Sequence, residues 1–307
     1  MSRFFTIISF FYILLAADEP ITPLPQSVAY DKEKAMLGKI LFFDPILSKD
    51  KKISCNSCHD LSKGGADCKR VSYGVMGKLG NIQAPTVYNA RYNFKQFWNG
   101  RADDLKDQAN GPITNPNEHD MNPKLIEKRL NASKRYRELF KKVYGVNHIR
   151  YNEVLDAIVE FEKALVTPNA KFDRYLRGEV QLSKNEKQGY VLFKQYGCIT
   201  CHNGINIGGN SFQKMGTFFP YDSNKSYPDR SKVMQDQHYT NVFKVPTLRN
   251  IALTAPYFHD GSAKTLKEAV QKMSYHNLGI EISPADADKI LAFLKTLTGV
   301  KPPIANR

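Results

Sequence analysis

Cysteine is scarce in this sequence, with five among 307 residues. So small a number cannot staple a chain of this length as a disulfide scaffold, and an odd one leaves at least one thiol outside any pair. Tryptophan occurs once. Glycine (19) and proline (16) stand at ordinary levels, which excludes collagenous and low-complexity chains. Acidic residues are in deficit, 30 against 44 Lys and Arg, a formal net charge of +14. Such a balance favours an acidic protein surface or a membrane face. No nucleic-acid recognition module accompanies it, so nucleic acid is not an expected partner. Long apolar runs are missing too: the only one, residues 4–16, falls short of the ~20 residues that span a bilayer.

What is present is the composition of a globular protein, 42% hydrophobic and 24% charged. Its length suits about two domains, each able to bury a core. The apolar run follows Met1-Ser2-Arg3 and gives way to Ala16-Ala17-Asp18. That order predicts a cleaved signal peptide over residues 1–17 and an exported, periplasmic protein.

The chain repeats itself. Cys55-Asn56-Ser57-Cys58-His59 and Cys198-Ile199-Thr200-Cys201-His202 are both C-x-x-C-H, and each follows a helical stretch, Gly38-Lys39-Ile40-Leu41-Phe42 and Gly189-Tyr190-Val191-Leu192-Phe193. Each half closes on a similar amphipathic stretch, residues 158–165 and 290–297. The periodicity predicts helices over about 32–42, 103–109, 123–131, 133–144, 151–165, 183–195, 265–273 and 284–298. Between them lie long Gly/Pro/Asn-rich stretches, notably 60–100 and 203–262, and residues 166–182 read as a connection. Loops of that length need something other than secondary structure to organise them, and a large cofactor does so.

C-x-x-C-H is the attachment signature of c-type haem: two thiols join the porphyrin edge and the adjacent imidazole ligates the iron. Cys55, Cys58, Cys198 and Cys201 are therefore the expected attachment points, with His59 and His202 as iron ligands. Zinc would require the two cysteine pairs much closer in sequence, and disulfides within the pairs would leave both histidines without a role. The fold class that follows is mostly α, two tandem cytochrome c-like domains with long haem-wrapping loops, over residues 18–166 and 167–307.

With these motifs in place, the chain resembles the bacterial dihaem cytochrome c peroxidases along nearly its whole length. The resemblance runs through Phe43-Asp44-Pro45, Gly64-Gly65-Ala66-Asp67, Ala84-Pro85-Thr86-Val87-Tyr88-Asn89-Ala90, Gln96-Phe97-Trp98-Asn99-Gly100-Arg101-Ala102 and Gly111-Pro112-Ile113. It continues in Val245-Pro246-Thr247-Leu248-Arg249-Asn250 and Leu253-Thr254-Ala255-Pro256-Tyr257-Phe258-His259-Asp260-Gly261.

The resemblance implies that the N-terminal haem reduces hydrogen peroxide and the C-terminal haem receives electrons from a small donor cytochrome c, in a homodimer. Glu118 matches the catalytic acid/base and Gln108 its polar neighbour. Of the methionines after His202, which are Met215, Met234 and Met273, the last matches the second axial ligand of the electron-transfer haem. Trp98 falls in the segment between the haems, and His259 is expected as a hydrogen-bonding orienter near their interface.

Ca²⁺ is a further expected cofactor, held by Gln83 (usually Asn in the family) and the carbonyls of Thr254 and Pro256. One departure stands out. The resting peroxidatic iron of many relatives is closed by a histidine from the loop that here reads Ser72-Tyr73-Gly74-Val75-Met76-Gly77, and no histidine occurs between His59 and His119. Val75 and Met76 are expected to cover the porphyrin face instead. Cys68 is expected to be a lone, partly buried thiol. Two other functions fit the motifs: a dihaem electron carrier without catalysis, and a dihaem enzyme that oxidises a partner protein's side chains. Met273 argues against the second, which would depart from His/Met ligation.

Overall fold

The computed structural model describes residues 19–222 and 227–306, so the expected signal peptide lies outside the described residues. The helices are α1 (Lys32–Phe43), α2 (Cys55–Cys58), α3 (Leu105–Thr114), α4 (Pro123–Ala132), α5 (Lys134–Tyr144), α6 (Tyr151–Ala164), α7 (Lys171–Leu176), α8 (Lys184–Gln195), α9 (Arg230–Met234), α10 (Leu266–Met273) and α11 (Pro284–Lys295). Two three-residue strands, β1 (Phe212–Lys214) and β2 (Val242–Lys244), pair antiparallel. The fold is thus mostly helical, as expected from the periodicity. The connection at 166–182 differs from expectation by carrying α7, whose Phe172 and Asp173 are buried. Among the described residues no helix is long and apolar enough to cross a membrane.

Each half is organised by one helix pair, α1 with α6 and α8 with α11. Helix α1 starts because Asp31 accepts from the Lys34 amide at 3.0 Å, and it buries Ala35, Leu37, Gly38, Leu41 and Phe42 on one face. Ser183 caps α8 reciprocally with Glu186, and Pro284 opens α11 behind Ser283. The glycines that recur in the sequence mark where the pairs touch. A Cβ on Gly38 would stand 1.8 Å from the carbonyl oxygen of Ala157, and one on Gly189 would stand 1.9 Å from that of Lys289. Backbone cannot yield as a side chain does, so Gly38→Ala should force α1 off α6. A loss of about 3 kcal/mol or more is expected from such overpacking, read as a lower melting temperature of the haem-loaded protein.

The ends of the chain cross over. Ile21 is buried in the core of the C-terminal half with Phe172, Tyr190 and Phe293. Gly204 donates to the Pro20 carbonyl at 2.7 Å, and Arg249 donates to the Thr22 carbonyl at 3.0 Å. Arg249 itself is fully buried and meets Asp173 with both carboxylate oxygens at 3.0 Å, a bidentate geometry that offsets the cost of burying the pair. At the other end Ala305 packs into the core of the N-terminal half with Phe42, Phe161 and Leu165, and Lys39 donates to the Asn306 carbonyl.

The long loops are not structureless. Residues 60–100 contain 3₁₀ turns at Val75–Gly77 and Ala90–Tyr92, and 203–262 contain the small sheet, α9 and two further 3₁₀ turns. Asn89 and Asn250 both adopt left-handed backbone, φ 62° and 61°, and both amides donate to the Thr167 hydroxyl at 2.9 Å. One threonine thereby pins the equivalent loops of the two halves together.

Candidate active site in a cavity shared by both halves

A cavity of about 710 Å³ extends from the first C-x-x-C-H motif to the second. Cys55, Cys58 and His59 line it at one end and Cys198, His202 and Met273 at the other, while the Cys201 thiol is not among the lining groups. In both motifs a tight turn returns the histidine beneath the cysteines: His59 N–H donates to the Cys55 carbonyl and His202 N–H to that of Cys198, each at 3.0 Å. Both imidazoles turn Nδ1 toward backbone, His59 to the Gly65 carbonyl at 3.4 Å and His202 to that of Ile207 at 3.3 Å. That contact selects the tautomer with Nε2 free as a ligand. Burial pushes His202 down to about 4 and shifts His59 in the same direction, so both rings are neutral, as iron ligation requires.

The donor set fits two c-type haems. All five cysteines are unpaired, which removes disulfides within the motifs, and no cluster of His, Cys, Asp and Glu able to hold a metal exists among the described residues. The haem iron ligands therefore work with a porphyrin and not as a protein-only metal centre.

The internal repeat reaches further into this cavity than the two motifs. Phe97 and Phe258 share a left-handed backbone, φ 65° and 71°, and isolated bridges pair Gln96 with Ala102 and Tyr257 with Ala263. Trp98 and His259 thus occupy equivalent positions, with ring centroids 6.2 Å apart. Gln83 N–H donates to the His259 carbonyl at 2.9 Å and Lys244 N–H to that of Trp98 at 2.7 Å, so Gln83 and Lys244 are equivalent too. Helices α3 and α10 follow, capped by Asp104 and Thr265. Met273 is the eighth residue of α10, and the eighth of α3 is Pro112. Both line the cavity, but only the thioether can ligate iron. Of the other downstream methionines, Met215 is buried in an aromatic cluster and Met234 is exposed, and neither lines the cavity.

At the N-terminal end Gln108 and Glu118 both line the cavity. The Asn115 amide donates to Glu118 Oε1 at 2.6 Å, which orients the carboxyl. Burial raises the Glu118 pKa against the opposing effects of Asn115 and Arg101. Arg101 also lines the cavity and stacks over the Phe97 ring at 3.4 Å.

The loop expected to cover this haem stands aside. Val75 is fully buried, donating to the Glu118 carbonyl at 2.7 Å, and Met76 is 66% exposed; neither lines the cavity. The expected Val-Met cover is therefore absent. Gly74 lines it instead, where a Cβ would stand 1.9 Å from the Asn117 carbonyl, so the loop passes tight against the segment that carries Glu118. His119 does line the cavity, but its Nδ1 is engaged with the Leu47 carbonyl at 2.9 Å.

Trp98 lines the cavity, its indole N–H donating to the Gln83 carbonyl at 2.8 Å. His259 stands next to it. Its Nε2 is buried with no hydrogen-bond partner, and the ring stacks on Phe243 at 4.2 Å, with burial pushing it down to about 4. The ring also packs edge-on against Trp98, its centroid 6.2 Å away. Cys68, expected to be partly buried, is exposed. Gln83, Thr254 and Pro256 line the same cavity. Sequence reading passed over two buried charged groups here, Lys244 and Glu162, the latter pushed up to about 8 by burial. Lys244 was within reach, since it aligns with Gln83 once the two Pro-Thr segments are superposed; Glu162 had no signal beyond an acid in an apolar helix.

The family profile of di-haem cytochrome c peroxidases matches residues 32–181, and that of cytochrome c matches 186–298. Cytochrome c551 peroxidase of Nitrosomonas europaea is 49% identical over 290 residues, covering 94% of this chain and 87% of the relative. Cytochrome c peroxidase Ccp of Escherichia coli is 43% identical over 293 residues, 93% of this chain, which spans 62% of that protein's length. A solved structure of a MauG-like protein associated with microbial copper homeostasis superposes with a TM-score of 0.81 at 26% identity, over 97% of this chain and 99% of that one. Paired haem-attachment turns, a shared cavity and near-complete coverage by these relatives agree: the chain belongs to the dihaem cytochrome c peroxidase family.

Proposed function

We propose that this protein reduces hydrogen peroxide to water in the periplasm, taking two electrons from a small donor cytochrome c and two protons from solvent. The observation that carries this reading is the inequality of two equivalent positions, Met273 beside one haem-attachment motif and Pro112 beside the other. A ligand at one centre and none at its repeat is the division between electron storage and substrate binding. When bound, the haems supply the electron-transfer chemistry.

The chain's own groups supply the rest. Glu118 takes a proton from the peroxide oxygen proximal to its carboxyl and returns it to the departing one, and its raised pKa suits transfer in both directions. Asn115 holds Oε1, so Oε2 is the oxygen left for proton transfer, and Gln108 offers an amide to the substrate oxygen. Trp98 bridges the two ends of the cavity. Gln83 with the carbonyls of Thr254 and Pro256 forms the proposed Ca²⁺ site, whose oxygen donors suit a hard cation. Residues 18–166 and 167–307 are the proposed domains of these two roles.

With neither Val75 nor Met76 on the cavity wall, the peroxidatic centre needs no reductive opening. The fully oxidised protein should bind cyanide at the N-terminal haem as fast as the half-reduced protein does. Stopped-flow mixing tests this, and binding accelerated many-fold only after one-electron reduction would contradict it. Steady-state peroxide consumption with a reduced small cytochrome tests the function as a whole.

A further inference from the structure

Lys244 is the one buried lysine among the described residues, 6% exposed, and it lines the cavity. No acceptor among the described residues lies within hydrogen-bonding distance of its Nζ. Its backbone is fixed twice, by pairing of β2 with Phe212 on β1 and by the N–H donated to Trp98, which holds the base of the side chain at the cavity wall. An unpaired ammonium in such a place is costly, and proteins keep one only where a counter-charge arrives. Burial alone already pulls it down to about 8.

A porphyrin of the attached type carries two propionate carboxylates, which need partners in the same way. The other lining cations are poorly placed to serve the C-terminal centre. Arg101 is stacked on Phe97 at the N-terminal end, and Lys232 is exposed on α9. From Lys244 the chain runs two residues to Pro246, whose carbonyl lies against Gly208 and the His202 ring. The repeat sharpens the contrast, because the equivalent residue at the other centre is the neutral Gln83.

We infer that Lys244 binds a propionate of the C-terminal haem, and that this fixed positive charge, absent from the equivalent place at the N-terminal haem, helps to set the C-terminal centre as the higher-potential one. A cation beside the porphyrin favours the ferrous over the ferric state. The inference rests on haem attachment at Cys198 and Cys201, and not on peroxide reduction.

The test is an optical redox titration of haem-loaded Lys244→Gln, which installs the residue found at the repeat position. The midpoint of the high-potential haem should fall while that of the other haem stays in place, and Lys244→Arg should keep both. Unchanged midpoints in fully loaded Lys244→Gln, or a shift confined to the N-terminal haem, would overturn the assignment. Should Lys244→Gln load haem poorly, resonance Raman spectra of Lys244→Arg decide. The propionate bending mode of the C-terminal haem moves if residue 244 holds that carboxylate, and an unmoved mode refutes it. No peroxide enters either measurement, so a failure of the proposed peroxidase activity would leave this result standing, and the reverse.

Discussion

Glu118→Gln should retain both haems with unaltered spectra while peroxide turnover falls by roughly 10²-fold or more, the scale of lost acid/base assistance. The substitution keeps the size of the side chain and its ability to hold one amide partner, so the Asn115 contact at 2.6 Å has a replacement. Only the exchangeable proton goes. The pH profile separates this from mere mispositioning. Burial sets the Glu118 pKa above the ordinary carboxylate value, so wild-type turnover should decline as pH falls through that raised pKa and the base becomes protonated. In Glu118→Gln that acid limb should vanish, leaving a flat and slow profile. Full turnover in a haem-loaded Glu118→Gln protein would remove the residue from the reaction and leave its acid/base role to another group.

Met273→Ala acts at the other end of the cavity. Axial ligand identity moves haem potentials over about 0.8 V, and a thioether favours the ferrous state. The expected result is a fall in the midpoint of the high-potential haem on the order of 0.1 V or more, with loss of its Fe–S absorption band. Turnover with a small cytochrome donor should fall with it, because the first electron is then delivered uphill. If the midpoint and the band survive, Met215 and Met234 are the remaining thioethers; the burial of the first among aromatics and the exposure of the second make either a poor substitute.

Much of this was legible in the sequence. The two C-x-x-C-H motifs, the helical stretches around Gly38 and Gly189, and the closing stretches of each half gave the helix pairs, because their apolar spacing and small residues obey local rules. Helix ends agreed to within a few residues where a cap or a proline fixed them, as at Ser183 and Pro284. What could not be read was set by contacts between distant segments. The burial of Val75 against Glu118 and the stacking of His259 on Phe243 depend on segments that lie 43 and 16 residues apart in the chain. The alignment of Pro112 with Met273 was present in the letters, yet it became visible only when the shared left-handed turns at Phe97 and Phe258 fixed the register.

The crossed ends of the chain carry a mechanical consequence. With Ile21 seated in the far half and Ala305 in the near one, the molecule is buckled like a strap threaded through both of its own plates. Neither half can swing away without first pulling a buried side chain from the other. Rigidity of this kind suits a device in which an electron must cross a set gap, since the crossing rate falls steeply with distance.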